Sequence, residues 1–417
     1  MRKWYIITII VVIGVAFAVF ALLLVSGAPA PDTTDEAPRR GFVSFFGRQF
    51  GFDDGDTDGS APAATSTPAE RPTFRQRLAL EKMISLSREM VSGVTFTAST
   101  TASTTIESAR FVERETGHIY DMSLETGSVH RISNTTVPRI QEAFFGVNGS
   151  AVALRYLADD NETVETYVAA LPTDPNASST ELDGVFFRQN ITALAWSPDT
   201  SEVFYLTAGD AGATGRIATL SGIDVRTVFS LPLSEWLAHW ETPGFIDLTT
   251  KPSYLAFGAA ERVGKSGGVT RTFSGTRGLT ILPSPGGTRM LFSTSDGATT
   301  RLFIRDLSTR ENIEFLIPTL PEKCAWADEA HAICAIPSRM SGGMPDVWYQ
   351  GSVSFTDSFW MLDGEEGTVD FLFDPAHTPA REGVDATMLM LSYDNSVLSF
   401  INKKDLRGWV ADLSEWF

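Results

Sequence analysis

The chain has 417 residues, with 33 Lys and Arg against 51 Asp and Glu, so its formal net charge at pH 7 is −18. Nucleic-acid binding needs clustered basic residues, and the Lys and Arg residues are scattered here, so the composition excludes a nucleic-acid-binding protein. The length would suit two or three average domains, or one long domain built from repeats.

The first segment predicts a membrane anchor. Arg2 and Lys3 precede a mostly apolar run of 21 residues without a charge, Tyr5 to Val25. At about 1.5 Å per residue, a helix of this length crosses roughly 30 Å of hydrocarbon. We therefore predict a cytoplasmic stub and a single transmembrane helix over residues 1–26, with the rest of the chain outside the cytoplasm. A cleaved signal peptide is the alternative, although its apolar region is usually only about 7–15 residues long.

Residues 27–72 are predicted to form a flexible acidic linker, because Pro, Gly, Ser, Thr, Ala and Asp dominate them. Within the linker, GFVSFFGRQFGF (41–52) is either an adhesive segment for a membrane or partner, or an extension of the anchor without a partner. Asp54, Asp56 and Asp58 resemble the first half of a calcium-binding loop, but its twelfth position is Thr65 rather than Glu. We interpret this stretch as solvated linker and predict no metal site.

The strongest pattern begins at Ile191. Residues ITALAWSPDTSEVFYLT (191–207) predict a strand, a tight turn and a second strand, because Pro and Asp favour the turn and β-branched and aromatic residues flank it. Equivalent turns recur in steps of 44, 43 and 43 residues, at Ser197, Glu241, Ser284 and Ala327. Weaker copies lie 51 residues before the first and 65 after the last, at Gly146 and Ser392. A period of about 40–45 residues with four short strands is typical of a β-propeller blade.

We therefore predict an all-β fold, a seven-bladed β-propeller over residues 73–417. The blades are expected at 94–133, 135–187, 190–231, 232–273, 278–317, 320–375 and 384–417. The last blade has only three predicted strands, so a strand near 80–86, after a helical or irregular lead-in over 73–79, is expected to close the ring. Six blades are the alternative count, and a β-sandwich would not explain the 43-residue period.

Two stretches carry a resemblance to a known family. WSPDTSEVFYLT and PSPGGTRMLFSTSDGATTRLFIRDL resemble the WD-like repeats of TolB-type propellers, and the resemblance covers roughly residues 80–417. It implies the propeller fold and, by analogy, a place in envelope protein complexes. LPEKCAW, DVWYQGSVSF and the single-helix anchor also resemble uncharacterised membrane-anchored propellers of very small bacteria.

Catalytic and metal motifs are absent from the sequence. Neither a G-x-S-x-G elbow nor an H-E-x-x-H helix occurs, and none of the five histidines lies at ligand spacing to another. The prediction is therefore a protein that is not an enzyme and holds no cofactor. A hydrolase or lyase with its site at the central channel is the alternative.

Cys324 and Cys334 lie in the first and second predicted strands of the sixth blade. If Trp326 pairs with Ala332 across the hairpin, the two cysteines oppose each other directly, with Cβ atoms about 4.5–5.5 Å apart. Oxidising conditions outside the cytoplasm permit a disulfide between them. Two buried free thiols are the alternative.

The candidate binding residues fall on one face of the propeller. We call this the top face: the loops that join the fourth strand of a blade to the next blade, and the second strand to the third. The turns between first and second strands lie on the opposite, bottom face. Exposed aromatics flanked by charges are typical binding anchors, and the candidates are Glu235, Trp236, Lys251, Glu322, Lys323, Asp346, Trp348, Tyr349 and Gln350. Alternatively, the aromatics of the insertion SRMSGGMPDVWYQG (338–351) pin it onto its own blade.

These expectations combine into one hypothesis and two alternatives. We expect a binding or scaffold propeller, held outside the cytoplasmic membrane with its bottom face toward the bilayer, whose top face binds a protein or an envelope polymer. The first alternative is the hydrolase or lyase, which needs polar residues that converge at the channel mouth. The second is a purely structural envelope protein without a discrete ligand.

Overall fold

The structure is a computed structural model, and it describes residues 72–417 apart from 101–104, 175–178, 380 and 382. The predicted anchor (1–26), nearly all of the predicted linker (27–72) and the acidic stretch at 54–58 lie outside the described residues. Among the described residues, no helix is long and apolar enough to cross a membrane.

The described chain opens with a short helix and a short strand. Helix α1 (Phe74–Glu81) begins at a capping box, in which the Thr73 hydroxyl accepts from the Gln76 N–H and the Gln76 side chain accepts from the Thr73 N–H. Phe74 and Leu78, four residues apart, share one face and are buried. Strand β1 (Met83–Ser85) follows. The lead-in and strand predicted over 73–86 are therefore present, with a shorter strand than expected.

Seven four-stranded antiparallel sheets form the propeller, which confirms the seven-blade count over six. Blade 1 contains β2 (Val91–Thr100), β3 (Thr105–Glu113), β4 (Ile119–Ser123) and β5 (Val129–Arg131). Blade 2 contains β6 (Glu142–Phe145), β7 (Ala151–Leu157), β8 (Val164–Ala170) and β9 (Gly184–Phe186). Blade 3 contains β10 (Ile191–Trp196), β11 (Glu202–Gly209), β12 (Gly212–Thr219) and β13 (Arg226–Leu231). Blade 4 contains β14 (Trp236–Thr242), β15 (Phe245–Thr250), β16 (Phe257–Gly264) and β17 (Val269–Arg277).

The remaining blades follow the same order. Blade 5 contains β18 (Thr280–Pro283), β19 (Arg289–Ser295), β20 (Thr300–Asp306) and β21 (Asn312–Phe315). Blade 6 contains β22 (Cys324–Trp326), β23 (His331–Pro337), β24 (Asp357–Asp363) and β25 (Val369–Phe373), with a short helix α2 (Asp346–Tyr349) between β23 and β24. Blade 7 contains β26 (Ala386–Leu391), β27 (Val397–Asn402) and β28 (Arg407–Asp412). Single 3₁₀ turns span Val147–Gly149, Pro321–Lys323 and Pro375–His377.

The ring closes as the sequence predicts. Strand β1 pairs antiparallel with β28 and becomes the fourth strand of blade 7, with Met83 opposite Ala411 and Ser85 opposite Trp409. Met83 is buried in the core that blades 6 and 7 share. The last blade therefore has no exposed edge at β28, because β1 covers it.

The recurrent serine of the repeat holds the bottom-face turns. In blade 3 the Ser197 hydroxyl donates to Asp199 at 2.7 Å and accepts the Glu202 N–H at 2.9 Å. In blade 7 Ser392 makes the same two bonds, to Asp394 and from Val397. The side chain thus replaces part of the backbone pairing that the turn interrupts.

Blade 5 lacks the aspartate of this turn, and its neighbour supplies a carboxylate instead. Glu329, in the bottom turn of blade 6, accepts the Ser284 hydroxyl at 2.8 Å and also the Gly286 N–H and the Thr288 hydroxyl. Burial alone would raise the pKa of Glu329, but these hydrogen bonds outweigh burial and lower it. A Cβ on Gly286 would lie 2.7 Å from a Glu329 oxygen, so a larger residue would displace this side chain.

The recurrent tryptophan links neighbouring blades. Trp196 ends β10 and donates its Nε1–H to the Phe144 carbonyl in the first strand of blade 2, at 3.2 Å. Trp326 ends β22 and donates in the same way to Leu282 of blade 5, at 3.1 Å. The repeated tryptophans that helped to predict the blades therefore also form hydrogen bonds between neighbouring blades.

Helix α1 lies on the bottom face. Arg75 pairs with Glu107 at 2.6 Å, near the start of β3, and with Asp394 at 3.6 Å in the bottom turn of blade 7. The Phe74 N–H donates to the Glu125 carbonyl in the turn between β4 and β5, at 3.0 Å. The described chain therefore begins at the face of the turns.

Candidate functional site

The insertion of blade 6, residues 338–356 between β23 and β24, lies across the tops of several blades, and we call it the strap. Asp346 of the strap accepts the Tyr254 N–H of blade 4 at 2.9 Å. The Gly343 N–H donates to the Gly297 carbonyl of blade 5 at 2.7 Å. Lys403 of blade 7 donates to the Trp348 carbonyl. The strap is therefore fixed to four consecutive blades, including its own.

Trp348 is the hydrophobic centre of the strap and is not an exposed anchor. Only 5% of its surface is exposed, and it packs in a cluster with Leu320, Met344 and Phe355. The prediction of an exposed Trp348 is wrong, and the alternative, in which the insertion is pinned to its own blade, describes the packing. The reason is that the strap forms a small hydrophobic cluster, closed by Leu320, and the Trp348 indole is part of it.

Trp236 is also buried, which corrects the second expected anchor. It is the first residue of β14, is 5% exposed and packs with Trp240 in the core between blades 3 and 4. Its Nε1–H donates to the Leu233 carbonyl at 2.8 Å, so the polar atom is satisfied internally. Residues four apart on a strand point to the same side, and the buried Trp240 was therefore the signal that sequence reasoning missed.

Beneath Trp348 lies a buried ionic triad. The Lys323 ammonium is 2.6 Å from Asp385 and 2.8 Å from Asp357, and the three side chains are fully buried. Lys323 also donates to the Ala386 carbonyl at 2.9 Å. Lys323 precedes the first strand of blade 6 and Asp385 precedes that of blade 7, so the triad joins the two blades at the top face.

The two carboxylates of the triad differ in their electrostatics. Burial raises the pKa of Asp357 to about 6, against the opposing charge of Lys323. Burial would also raise the pKa of Asp385, but the Lys323 charge and the hydrogen bonds from Lys323, the Phe355 N–H and the Trp348 indole lower it. Asp357 Oδ1 is buried without a hydrogen-bond partner among the described residues, whereas Oδ2 accepts the Ala386 N–H at 2.7 Å.

Two lysines lie over the Trp348 ring. The Lys403 Nζ is 4.2 Å and the Lys323 Nζ is 5.4 Å from the ring centroid. Burial and the Lys323 charge lower the pKa of Lys403, and Asp385 opposes them. These cation–π contacts add to the docking of the strap, because a partly desolvated ammonium gains more from the ring than an exposed one.

At the edge of the strap, two of the predicted candidates form a hydrogen-bonded pair. Tyr349 is 38% exposed, and its hydroxyl donates to Glu322 Oε1. Glu322 Oε2 is buried, and the Tyr349 and Thr280 hydroxyls act against the effect of burial on the pKa of Glu322. Burial raises the pKa of Glu322, and burial together with the Glu322 carboxylate raises the pKa of Tyr349 well above its ordinary value.

The other predicted candidates are separate from this cluster. Glu235 and Lys251 form an exposed ion pair of 2.8 Å on blade 4. Gln350 ends α2, where its N–H donates to the Asp346 carbonyl at 2.9 Å. The structure thus brings Glu322, Lys323, Trp348 and Tyr349 together and leaves Glu235 and Lys251 as a pair of their own.

Sequence reasoning did not identify Asp357, Asp385 and Lys403. Asp385 had a signal, because it occupies the position before a first strand that Lys323 occupies one blade earlier, with the opposite charge. Asp357 and Lys403 had none, since their roles depend on contacts across blades. Among the described residues, no group of three or more His, Cys, Asp or Glu side chains could hold a metal ion.

The cysteines lie directly beside the triad. In the β22–β23 pair, Cys324 is opposite Cys334 and Trp326 is opposite Ala332, which is the register that the sequence predicts. The structure joins the two sulfurs in a disulfide, with Cα atoms 4.1 Å apart. Because Cys324 follows Lys323, the crosslink and the triad together fix the position at which β22 begins.

No protein-family model and no curated protein matches the chain. Among solved structures, the β-propeller domain of the Trilobed protease from Pyrococcus furiosus is similar, with a TM-score of 0.50 and 13% identity, over 78% of this chain and 96% of that one. That domain has an open velcro topology, whereas β1 completes blade 7 here.

Two further structures are similar to the chain. An oligogalacturonate lyase from Vibrio parahaemolyticus has a TM-score of 0.48 and 10% identity, over 78% of this chain and 99% of its own. A TolB-like protein from Agrobacterium tumefaciens has a TM-score of 0.38 and 13% identity, over 56% of this chain and 86% of its own. Likeness at such identities concerns the fold alone, and the chain is a seven-bladed β-propeller whose structural neighbours include TolB-like and other propeller proteins.

Proposed function

We propose that this propeller is a binding module, held outside the cytoplasmic membrane by its N-terminal segment, whose top face binds a protein or an envelope polymer. The observation that carries the proposal is the Tyr349–Glu322 pair at the edge of the strap. It combines an exposed aromatic ring with a buried carboxylate that accepts the tyrosine hydroxyl and fixes its position.

The pair has the chemistry of a recognition point. The buried Glu322 carboxylate accepts the Tyr349 hydroxyl and so holds the ring in one orientation before any ligand binds. Tyrosine supplies a large contact area with little loss of conformational freedom, which explains its enrichment at interfaces. A ligand that presents an apolar surface to the exposed part of the Tyr349 ring fits this pair.

The strap provides a rigid support for this pair. Its contacts with Tyr254, Gly297 and Lys403 place hydrogen bonds on three other blades. Binding to a face that is already ordered avoids the entropy loss of fixing loops. The hydrogen bonds that hold the strap therefore favour ligand affinity at Tyr349, although they do not themselves contact the ligand.

Exposed apolar side chains on the same face extend the contact area. Leu316, in the loop before blade 6, is 93% exposed. Three more exposed apolar residues lie in top-face loops or strand starts of blades 3 and 4: Leu233, Leu255 and Phe257. The Glu235–Lys251 ion pair lies in the same region and would belong to the polar rim of the interface.

The position of α1 supports the orientation of the molecule. Because the described chain begins on the bottom face, the predicted anchor would connect there, and the top face would point away from the membrane. A predicted linker of about 45 residues leaves the propeller free to tilt. The orientation therefore makes the top face accessible to a partner, but it does not determine which partner binds.

Site-specific photocrosslinking tests the proposal. The full-length protein, with a photoreactive phenylalanine analogue at Gln350 on the top face or at Tyr393 on the bottom face, is illuminated in intact envelopes. We expect a defined adduct from position 350 and a loss of about tenfold in its yield when Tyr349→Ala or Glu322→Gln is added. An adduct that forms only from position 393, or one that both substitutions leave unchanged, would contradict a top-face site.

A second candidate function, a hydrolase or lyase, has one specific observation in its favour. Glu322 has a raised pKa and a phenol beside it, and it lies just before the first strand of blade 6. A carboxyl with a raised pKa is better suited to general acid catalysis than an ordinary one. Turnover of a peptide or uronate polymer by the purified protein, with a loss of at least about a hundredfold in Glu322→Gln, would favour this function. Unchanged turnover in the variant would exclude Glu322 as its acid.

A further inference from the structure

A cleft of about 350 Å³ lies at the rim of blade 2, away from the strap. The end of β7 contributes Tyr156 and Asp159 follows it, the start of β8 contributes Glu165, and β9 contributes Phe186. The loop from blade 1 closes one side with Arg139. The cleft is open to solvent and thus has the size and access for one side chain of a polypeptide rather than for an enclosed small molecule.

An exposed aromatic ring forms one wall of the cleft. Phe186 is 61% exposed, although it is in an outer strand that could have carried a polar residue at this position. Its ring is held by an edge-on contact with Tyr167, with centroids 5.1 Å apart. One side of the ring is therefore fixed, and the remainder is available for a ligand.

The cleft has a negative electrostatic character. Burial raises the pKa of Tyr156, and the carboxylates of Glu165 and Asp159 raise it further. Glu165 is held in place by a 2.6 Å hydrogen bond from Gln189. A cation that enters beside Tyr156 would therefore meet two carboxylates next to an aromatic wall.

Arg139 is the one cation among the residues that line the cleft, and its pairing is weak. Its guanidinium is 3.3 Å from Asp159, and both side chains are largely exposed. Exposed pairs of this kind contribute little, about 0–1 kcal/mol. Arg139 therefore shows that a guanidinium is accommodated at the rim, and it competes with any cationic ligand.

We propose that this cleft binds an arginine side chain of a partner polypeptide, with the guanidinium stacked on Phe186 and paired with Glu165. Arginine fits better than lysine because its planar group stacks on a ring and bonds a carboxylate in one geometry. The net charge of −18 favours encounter with a basic partner. This site is independent of the strap and of Glu322.

The test uses the full-length protein and the tripeptide acetyl-Gly-Arg-Gly-amide, with saturation-transfer NMR as the readout. We expect a saturable signal that is strongest on the arginine side chain, weaker for the lysine peptide and absent for the citrulline peptide, which is neutral. Glu165→Gln and Phe186→Ala should each weaken binding by about two- to fivefold. Arg139→Gln should strengthen it by about twofold, because a competing charge is removed.

Phe371→Ala is the matched control. Phe371 is an exposed phenylalanine of β25 in blade 6, and its ring makes the same kind of edge-on contact, with Trp360 at 5.1 Å. Its removal should leave peptide binding unchanged. Equal binding of the citrulline peptide, no saturable signal, or equal losses in Phe371→Ala and Phe186→Ala would each overturn the proposal. Circular dichroism of each variant establishes that the propeller is intact.

Discussion

Lys323 holds two carboxylates that have no access to water. Its ammonium lies between Asp357 and Asp385, all three side chains are fully buried, and the Trp348 ring lies against it. Removing the cation would leave two negative charges in a region from which solvent is excluded. At the scale of single residues, the cohesion of the top face therefore depends on this lysine more than on any exposed candidate.

We expect Lys323→Met to lower the free energy of unfolding by about 3–5 kcal/mol, because it leaves buried charges uncompensated. The measurement is urea unfolding of residues 72–417. Lys251→Met is the matched control, because Lys251 and Glu235 form an ion pair that is exposed to solvent. Its loss should lower the free energy of unfolding by less than about 1 kcal/mol. Equal costs for the two substitutions would show that the triad is not a buried ion cluster.

The raised pKa of Asp357 gives a prediction about pH. A carboxyl whose folded-state pKa is about 6, above its ordinary 3.8, holds its proton more tightly in the folded protein. Its contribution to stability therefore falls as the pH rises from about 4 to about 6. Asp357→Asn removes this titration, so the variant should gain about 3 kcal/mol on the wild type between pH 4 and pH 7.

The groups that face Asp357 are Lys323 and Asp385. Asp385 has a lowered pKa, so its contribution to the stability of the protein is lost only when the pH falls below this window. The experiment compares urea unfolding of wild type and variant at several pH values, with the exposed Asp370→Asn as a charge-matched control. A stability difference that stays constant with pH would contradict the assignment.

At the scale of elements, the β22–β23 hairpin is the crosslinked unit. The disulfide closes a loop with a sequence separation of 10 residues. In the chain-entropy model a loop of this length stabilises by about 2–3 kcal/mol. We expect the Cys324→Ala/Cys334→Ala variant to unfold at a lower temperature than the wild type, and reductant to shift the wild type but not the variant. Both thiols reacting with an alkylating reagent in the native, unreduced protein would rule out the bond.

The elements that follow the repeat could be predicted from the sequence, and those that depart from it could not. Ser197 and Ser392 recur because each holds the same turn, so spacing alone located their hairpins. The strap is stabilised by long-range contacts, such as the one between Trp348 and Asp385, 37 residues apart. Periodicity contains no information about such contacts, which is why Trp348 was expected at the surface.

At the scale of the whole molecule, closure of the ring depends on β1. We expect Met83→Ala to lower the free energy of unfolding by about 2–5 kcal/mol. The reason is that Met83, in the closing strand β1, is buried in the core that blades 6 and 7 share. Met90→Ala, at a partly exposed methionine a few residues later, should change it by less than about 0.5 kcal/mol. Urea unfolding checks both. Equal effects would mean that β1 is dispensable.

Closure was predictable because a missing strand is a counting argument. The final blade showed three predicted strands, and a strand predicted near residues 80–86 was expected to complete it, which β1 does. For the candidate site, the sequence predicted only the face of the propeller on which it lies. Topology placed Glu322 and Tyr349 on the same side of the propeller, but their hydrogen bond depends on the path of the strap.

The joining of β1 to β28 also has a consequence for biosynthesis. Lys82, beside β1, bonds Asp412, which is synthesised 330 residues later. Strand β1 must therefore wait, unpaired, until β28 has left the ribosome, and contacts of such separation form slowly. A polypeptide that is cut short anywhere before β28 cannot shut its ring. Closure thus distinguishes finished copies from truncated ones, whose open edges would be available to chaperones and proteases.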